Sequence, residues 1–365
     1  MKIVIDARSL ATTPMTGVGY YTLHFLNELA QTHSRYPVDI FLFTSGRTPS
    51  PLLRDAISQL PFHHIHISIP NKLLNVWLAS GAKPGLESFL PKHDAFWMPN
   101  LNFATCNPNF SKYITIHDLS FLHNQRYYSL KNRLRHRLLN VQKLLESSTM
   151  LFAVSNHTAA DIKRFFPDLH TPVRVIRPGV RSANLSEPSP PFEMPKKFLL
   201  YVGTLEPRKN LLGVLEAFRV LRRTHTDLSL ILAGQIHNLQ TPIRSRIRDE
   251  SGIRYRSYVS DHEKKALYSN ALALLWPSLY EGFGFPPLEA MAYGTPVITS
   301  YRTSLPEILK NSAWYVNPYN VAEYVRVVEH ILDNPKRGVL APVYSWTHCV
   351  DQTLRAMLET YADRN

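Results

Sequence analysis

Cysteine is nearly absent from the 365 residues: Cys106 and Cys349 are the only two. Two thiols so far apart form neither a disulfide framework nor a metal-ligand pattern, so they read as reduced, buried cysteines of a cytosolic protein. Long apolar runs are also missing, and nothing approaches the ~18 residues expected of a transmembrane helix. The opening Met1-Lys-Ile-Val-Ile-Asp-Ala-Arg reads as a strand rather than a leader, because its apolar part is short and Asp6 interrupts it. Acidic residues are scarce, with 28 Asp and Glu against 41 Lys and Arg for a net charge of +13. The imbalance is concentrated in residues 1–180, where 19 basic residues face 10 acidic ones. A basic surface favours anionic partners without choosing among nucleic acid, phospholipid and phosphorylated ligands.

Several common chemistries lack their signatures. Thr16-Gly17-Val18-Gly19-Tyr20-Tyr21 has no third glycine of a dinucleotide fingerprint, and the following strand, Asp39–Phe43, ends on no acid that could take a ribose. Both points argue against a dehydrogenase. The 16 histidines include no His-x-x-x-His helix of the protease kind, and no catalytic metal is expected. No Gly-x-Ser-x-Gly elbow presents a serine nucleophile.

What is present is an alternation of short apolar strands with helical-length segments, the pattern of an α/β protein with parallel sheets. Strands are expected at Lys2–Asp6, Asp39–Phe43, Ala95–Met98, Tyr113–Ile116 and Met150–Val154, with helices at Gly19–Thr32 and Ser129–Leu145. Beyond the middle, strands are expected at Phe198–Val202, Ser229–Ala233, Ala271–Trp276, Val297–Thr299 and Ala313–Val316. Helices are expected there at Leu211–Arg223, Asp261–Ser269, Leu288–Tyr293 and Val321–Leu332. Residues 182–195 hold Pro188, Pro190, Pro191 and Pro195 among polar residues, which marks a linker between two doubly wound domains.

The most informative segment is 280–296, Tyr-Glu-Gly-Phe-Gly-Phe-Pro-Pro-Leu-Glu-Ala-Met-Ala-Tyr-Gly-Thr-Pro. Glu281 and Glu289 cannot share one helix across Gly282, Gly284, Pro286 and Pro287. Glu281 therefore belongs to a glycine loop after a buried strand, and Glu289 to the first turn of a short helix. A strand, a glycine loop and a helix start offer backbone N–H groups to an anion between two hydroxyl-accepting carboxylates. A phosphate linked to a sugar suits such a site. Gly203 ends the strand that opens the second domain, and Arg208 and Lys209 precede the next helix, placing positive charge beside a strand's carboxyl end. Those two cations would suit a diphosphate.

In the first domain Gly17 and Gly19 open a helix and can present amides to a phosphate. His117 and Asp118 stand at the end of a buried strand, where His117 could bond a sugar hydroxyl and Asp118 could orient or accept. Ser155 reads first as a helix cap. Residues 129–145 read as one amphipathic basic helix, with Leu130, Leu134, Leu138, Val141 and Leu145 at helical spacing. It is either a core helix with a solvated basic side or a contact for acidic lipid head groups, to which the apolar-basic segment 70–91 could add anchoring.

These segments together resemble the retaining glycosyltransferases of family 4, nearly end to end. The matching pieces are Asp6-Ala-Arg8, Gly17-Val-Gly19, Thr115-Ile-His-Asp-Leu-Ser120, Ala153-Val-Ser155-Asn, Val202-Gly-Thr-Leu-Glu-Pro-Arg-Lys-Asn210, Leu232-Ala-Gly234 and Pro277-Ser-Leu-Tyr-Glu-Gly-Phe-Gly-Phe-Pro-Pro-Leu-Glu-Ala-Met291. The resemblance implies the GT-B fold, two Rossmann-like doubly wound domains facing a central cleft. Residues 1–181 would form an acceptor-side domain and 196–345 a nucleotide-sugar domain, with the helix of 346–365 crossing back onto the first. It implies that Arg208 and Lys209 stabilise the leaving nucleoside diphosphate and that Glu289 accepts the ribose hydroxyls. Glu281, with Gly282, Phe283 and Gly284, would hold the transferred sugar, His117 would contact it, and Gly19 would approach the phosphate. Gly203 and Thr204 would line the donor site, with Asp118 and Ser155 on the acceptor side. Many members carry arginine where this chain has Thr204, which shifts charge neutralisation onto Arg208 and Lys209.

The subgroup it resembles is that of bacterial mannosyl- and rhamnosyltransferases of O-antigen and capsule assembly. The implied donor is GDP-mannose or another GDP-sugar, with UDP-glucose or UDP-galactose as the alternative, and no cofactor. The implied acceptor is a lipid-linked oligosaccharide, met peripherally at the inner face of a bacterial cytoplasmic membrane that carries anionic lipid; no nucleic-acid partner is implied. No carboxylate pair stands out as a glycosidase-type acid and nucleophile. Front-face transfer, with the leaving phosphate taking the acceptor's proton, is the economical expectation. A sugar-nucleotide epimerase shares the architecture, and a non-enzymatic anion-binding protein would share the charge.

Overall fold

The computed structural model describes the chain except residues 13–14, 50, 106–110, 181–192, 238–240, 336–337, 339–343 and 365, and except the side chains of 51, 52 and 242. Cys106 and most of the expected 182–195 linker thus lie outside the described residues. The chain divides into two compact units. The first comprises Met1–Leu122, Leu130–Gly179 and Tyr344–Asn365, and the second His123–Ser129 and Val180–Val343.

The first unit is built on a parallel sheet of β1 (Lys2–Asp6), β2 (Asp39–Ser45), β3 (His63–Ile67), β4 (Ala95–Met98), β5 (Lys112–Ile116), β6 (Met150–Ala153) and β7 (Val173–Val175), in the order β3-β2-β1-β4-β5-β6-β7. Central strands β4 and β5 are buried at every position. Such double burial selects continuous apolar runs over alternation. Its helices are α1 (Gly17–Thr32), α2 (Pro51–Ser58), α3 (Asn71–Ser80), α4 (Ser120–His123), α5 (Leu130–Leu138), α6 (Val141–Glu146) and α7 (Asn156–Phe165). The order of winding reverses between β1 and β4, the point outside whose strand ends ligands bind in such sheets.

The second unit carries a parallel sheet of β8 (Phe198–Val202), β9 (Ser229–Ala233), β10 (Ile253–Arg256), β11 (Ala273–Trp276), β12 (Val297–Ser300) and β13 (Trp314–Val316), in the order β10-β9-β8-β11-β12-β13. Here the reversal falls between β8 and β11, which pair Ala273 with Leu199. The segments after those two strands hold Arg208, Lys209 and Glu281. Around the sheet lie α8 (Leu211–Leu221), α9 (Thr241–Asp249), α10 (Asp261–Asn270), α11 (Phe285–Ala292), α12 (Leu305–Leu309) and α13 (Val321–Asp333). The last helix, α14 (Trp346–Ala362), belongs to the first unit and packs along α1. Trp346 sets its ring 5.5 Å from that of Tyr21, and Gly179 lies so close that a Cβ there would stand 2.2 Å from the Trp346 nitrogen.

Three strands escape the sequence pattern, β3, β7 and β10, and all three are sheet edges. An edge strand is only partly covered, so His-His-Ile-His-Ile in β3 carries no apolar run. Two helices are corrected. The expected helix Ser129–Leu145 is two, because Asn140 takes a left-handed conformation (φ 45°) and its side chain caps α6 by accepting from the Lys143 N–H. The helix carrying Glu289 begins at Phe285, not Leu288, which moves Glu289 into its second turn. Pro286 and Pro287 sit in the first turn, where the N–H groups they lack have no intrahelical acceptor.

Candidate active site

In the second unit Gly203 leaves β8 at φ +134°, with Trp276 so near that a Cβ there would be 2.7 Å from the indole. A short 3₁₀ turn, Pro207–Lys209, then delivers the two cations. Asn210 holds the turn in place from a left-handed conformation, donating to the Pro318 carbonyl at 2.6 Å and to the Tyr324 hydroxyl at 3.1 Å.

Glu281, 5% exposed, is the hub of this site. Its Oε1 accepts from Lys209 Nζ, from Ser278 Oγ at 2.7 Å and from Trp276 Nε1 at 2.9 Å. Its Oε2 lies 3.5 Å from Arg208 Nη1, which also donates to the Tyr280 carbonyl at 3.1 Å. Arg208 Nε in turn faces Glu206 Oε1 at 2.7 Å. Lys209 Nζ stands 4.8 Å over the Trp276 ring. Burial alone would push the Glu281 carboxyl up, but the Lys209 and Arg208 charges overcome it and hold it below its ordinary value. Two cations are matched here by two carboxylates, so the cluster offers an anion directed N–H donors rather than net positive charge.

Glu289 stands apart from that hub. Its Oε2 accepts from the Tyr268 hydroxyl at 2.9 Å and faces Lys264 Nζ at 3.4 Å. Among the described residues Oε1 has no partner, which leaves it open to a hydroxyl. Gly282, Phe283 and Gly284 are buried, and Gly284 precedes α11 at φ +95°. Thr204 is exposed. Arg302, which the sequence reading passed over, is exposed and has no carboxylate partner among the described residues. Its guanidinium lies 5.6 Å from the Tyr319 ring. Ser278, Trp276 and Glu206 were also missed. Ser278 and Glu206 lie inside segments that the sequence singled out, and Trp276 ends an expected strand, but nothing there marked their contacts.

In the first unit, the hydroxyl of Thr16 caps α1 by accepting from the Gly19 N–H at 3.4 Å. A Cβ on Gly19 would meet Met15 and stand 3.1 Å from the Ser9 carbonyl, whereas Gly17 has open space around it. His117 follows β5 and meets the Tyr21 ring of α1 edge-on at 4.6 Å, which brings the two sequence motifs together. Its Nε2 pairs with the Pro99 carbonyl at 2.8 Å, so the neutral ring donates there and leaves Nδ1 as an acceptor. Burial lowers the His117 pKa, against the Pro99 bond and Asp118. Asp118 turns back to accept from the Ser120 N–H at 3.0 Å and from its hydroxyl. Ser155 is wholly buried and caps α7, accepting from the Thr158 N–H at 3.1 Å and donating to Thr158 Oγ1.

Among the described residues no group of three or more His, Cys, Asp or Glu is placed to hold a metal ion. The profile of the family described as "Glycosyl transferases group 1" matches residues 184–339, the segment that carries the whole Glu281 cluster. The chain is 27% identical to O-antigen chain mannosyltransferase B of Escherichia coli over 389 aligned positions, covering 98% of this chain and 99% of that protein. The chain is a glycosyltransferase. It is also 33% identical over 148 residues to O-antigen chain mannosyltransferase RfbU of Salmonella typhimurium, covering 38% of this chain and 40% of that one. Among solved structures, sucrose-phosphate synthase from Thermosynechococcus elongatus superimposes with a TM-score of 0.64 at 18% identity, covering 99% of this glycosyltransferase and 94% of that chain. The fold is thus of the GT-B kind. The epimerase and the non-enzymatic readings fall away.

Proposed function

We propose that this glycosyltransferase moves a hexose, mannose or rhamnose, from a GDP-sugar to a lipid-linked oligosaccharide during cell-surface polysaccharide assembly, with GDP-mannose the favoured donor. The observation that carries the proposal is the Arg208–Lys209–Glu281 cluster at the reversal of the second sheet, in a chain similar from end to end to an O-antigen mannosyltransferase. Breaking the sugar–phosphate bond builds negative charge on the diphosphate. Arg208 and Lys209 would direct their N–H groups at it, and removing one such preorganised donor commonly costs ~10²–10³ in rate. Arg302, with no acid to satisfy it among the described residues, would supply the charge that Thr204 does not. Glu289 would take a ribose hydroxyl on its open Oε1, and Glu281 would hold the sugar. The Nδ1 of neutral His117 would accept from a sugar hydroxyl. The bond from the anomeric carbon to the diphosphate breaks as the bond to the acceptor oxygen forms on the same face, and the leaving phosphate oxygen takes the acceptor's proton. No metal enters this scheme.

A thermal-shift panel tests the donor, since selective binding raises apparent stability by mass action. GDP-mannose should raise the midpoint well above UDP-glucose or UDP-galactose at equal concentration. The reverse order would replace the donor assignment.

The lipid-linked acceptor would be met at the inner face of the cytoplasmic membrane, with the protein held there peripherally. What supports this reading is the orientation of α5. Leu130, Leu134 and Leu138 are 80%, 58% and 52% exposed, and Lys131, Arg135 and Arg137 are exposed on either side of them. On α3, Leu73, Val76 and Trp77 are exposed likewise, while Leu74 alone is buried. Neither helix contains an acidic residue. Both helices end on one groove of about 500 Å³ lined by Leu78, Lys83, Phe103, Leu138 and Lys143. Apolar stripes flanked by cations suit an anionic bilayer surface, at about 1 kcal/mol per basic residue near it. No helix among the described residues is long and apolar enough to cross a membrane.

A further inference from the structure

Four hydroxyl side chains of the second unit, those of Thr299 and Ser300 on β12 and of Thr303 and Ser304 after it, all reach the segment that carries Glu281. Thr299 Oγ1 donates to the Trp276 carbonyl at 2.8 Å, and Ser300 Oγ donates to the Ser278 carbonyl. Thr303 Oγ1 accepts from the Glu281 N–H at 2.9 Å, and Ser304 Oγ donates to the Glu281 carbonyl at 3.0 Å. Thr299, Ser300 and Ser304 are fully buried. The β12–α12 connection thus grips the β11–α11 loop like a comb, and its last two teeth pin Glu281 on both sides of its Cα.

Two local preferences are overridden to achieve this. Thr303 sits at φ +56°, a left-handed conformation that a β-branched residue avoids. Ser304 is the N-cap residue of α12 yet makes no cap hydrogen bond, because its hydroxyl is turned to Glu281 instead. Strain of this kind persists only where the surroundings over-determine it, and it gathers at functional sites. A loop residue has no ladder to fix its peptide groups, and the carboxylate bonds to Lys209, Arg208, Ser278 and Trp276 fix only the far end of the side chain. The comb fixes the near end.

We infer that Thr303 and Ser304 are positioning residues that hold the Glu281 main chain, and through it the carboxylate, in the geometry required for sugar transfer. The inference rests on the assignment of Glu281 to the donor site. The test is steady-state kinetics and direct donor binding on Thr303→Gly, Thr303→Ser, Ser304→Ala and Glu281→Gln, with unfolding midpoints measured beside them. Glycine at 303 accepts the left-handed backbone while removing the hydroxyl grip together with the methyl group, and serine restores the hydroxyl alone. Thr303→Gly and Ser304→Ala should each lower kcat by about 10- to 100-fold, as small misplacements do. Donor affinity should change little, the midpoint of Thr303→Gly should be kept, and Thr303→Ser should restore most of the rate. Undiminished kcat in Thr303→Gly and Ser304→Ala, with Glu281→Gln inactive, would overturn the positioning role and leave the site standing. Losses of rate that merely follow losses of midpoint, with no rescue by serine, would overturn it too. A fully active Glu281→Gln would overturn the site assignment itself and the inference with it.

Discussion

Glu281 and Lys209 form a buried pair in which each group depends on the other. Removing one partner of such a pair leaves an uncompensated buried charge, typically at a cost of about 3–5 kcal/mol, whereas replacing both by neutral groups is close to neutral. Lys209→Met and Glu281→Gln should each therefore lower stability by that order, and the double variant should recover most of it in urea denaturation. Turnover should be lost in all three, because recovered stability does not replace directed donors. A double variant no more stable than the singles would show that the pair is not coupled as drawn. His117 makes a second prediction at this scale. Its folded pKa lies below the ordinary 6.5, so its contribution to stability is complete above pH 6.5 and is lost as pH falls through the lowered value. His117→Gln should flatten the decline of stability below pH 6.5; an unchanged profile would contradict the assignment. Cys349 is wholly enclosed, with burial first among the causes that push its thiol up to about 12. In a Cys106→Ser background a thiol reagent should label Cys349 only on unfolding.

Elements show where sequence and structure part. Phe198–Val202 and Ser229–Ala233 were legible as strands because they are buried on both faces and read as unbroken apolar runs. Edge strands β3, β7 and β10 were illegible for the complementary reason, since each leaves a row of side chains uncovered. The glutamate loop was legible in kind, because glycine and proline restrict backbone whatever surrounds them. Its register was not, because Pro286 and Pro287 are as comfortable inside a first turn as before it. Gly284 shows why the loop needs glycine. At φ +95° any side chain is strained, and a Cβ would lie 2.9 Å from Leu305. Gly284→Ala should destabilise by roughly 1–3 kcal/mol in equilibrium unfolding, and a neutral result would mean that the turn relaxes freely. The hydroxyl grip on Glu281 had no signal at all, since nothing in Thr-Ser at 303–304 says that its partners are main-chain groups about twenty residues earlier. Likewise the leucines of α5 recur at helical spacing whether they face a core or a bilayer, and only the fold settles that they face outward.

For the whole molecule, two parallel sheets follow from a sequence that alternates strand and helix with one proline-rich interruption. The return of α14 to the first unit was implied only by the family resemblance, and the strand order came from the structure. The basic surplus of the first half acquires a location in α5 and α3. Leu134→Ser with Leu138→Ser should leave unfolding within about 0.5 kcal/mol of the parent, as exposed substitutions do, while cutting co-sedimentation with anionic phospholipid vesicles. Equal sedimentation would remove this face from the membrane reading. The chemistry asks for a stricter test. With GDP-α-mannose and a lipid-linked oligosaccharide acceptor, the anomeric configuration of the newly formed bond can be read by NMR on the product. The account predicts an α-linked mannose, formed by the parent protein and not by Glu281→Gln; a β-linked product, or transfer undiminished in that variant, would contradict it.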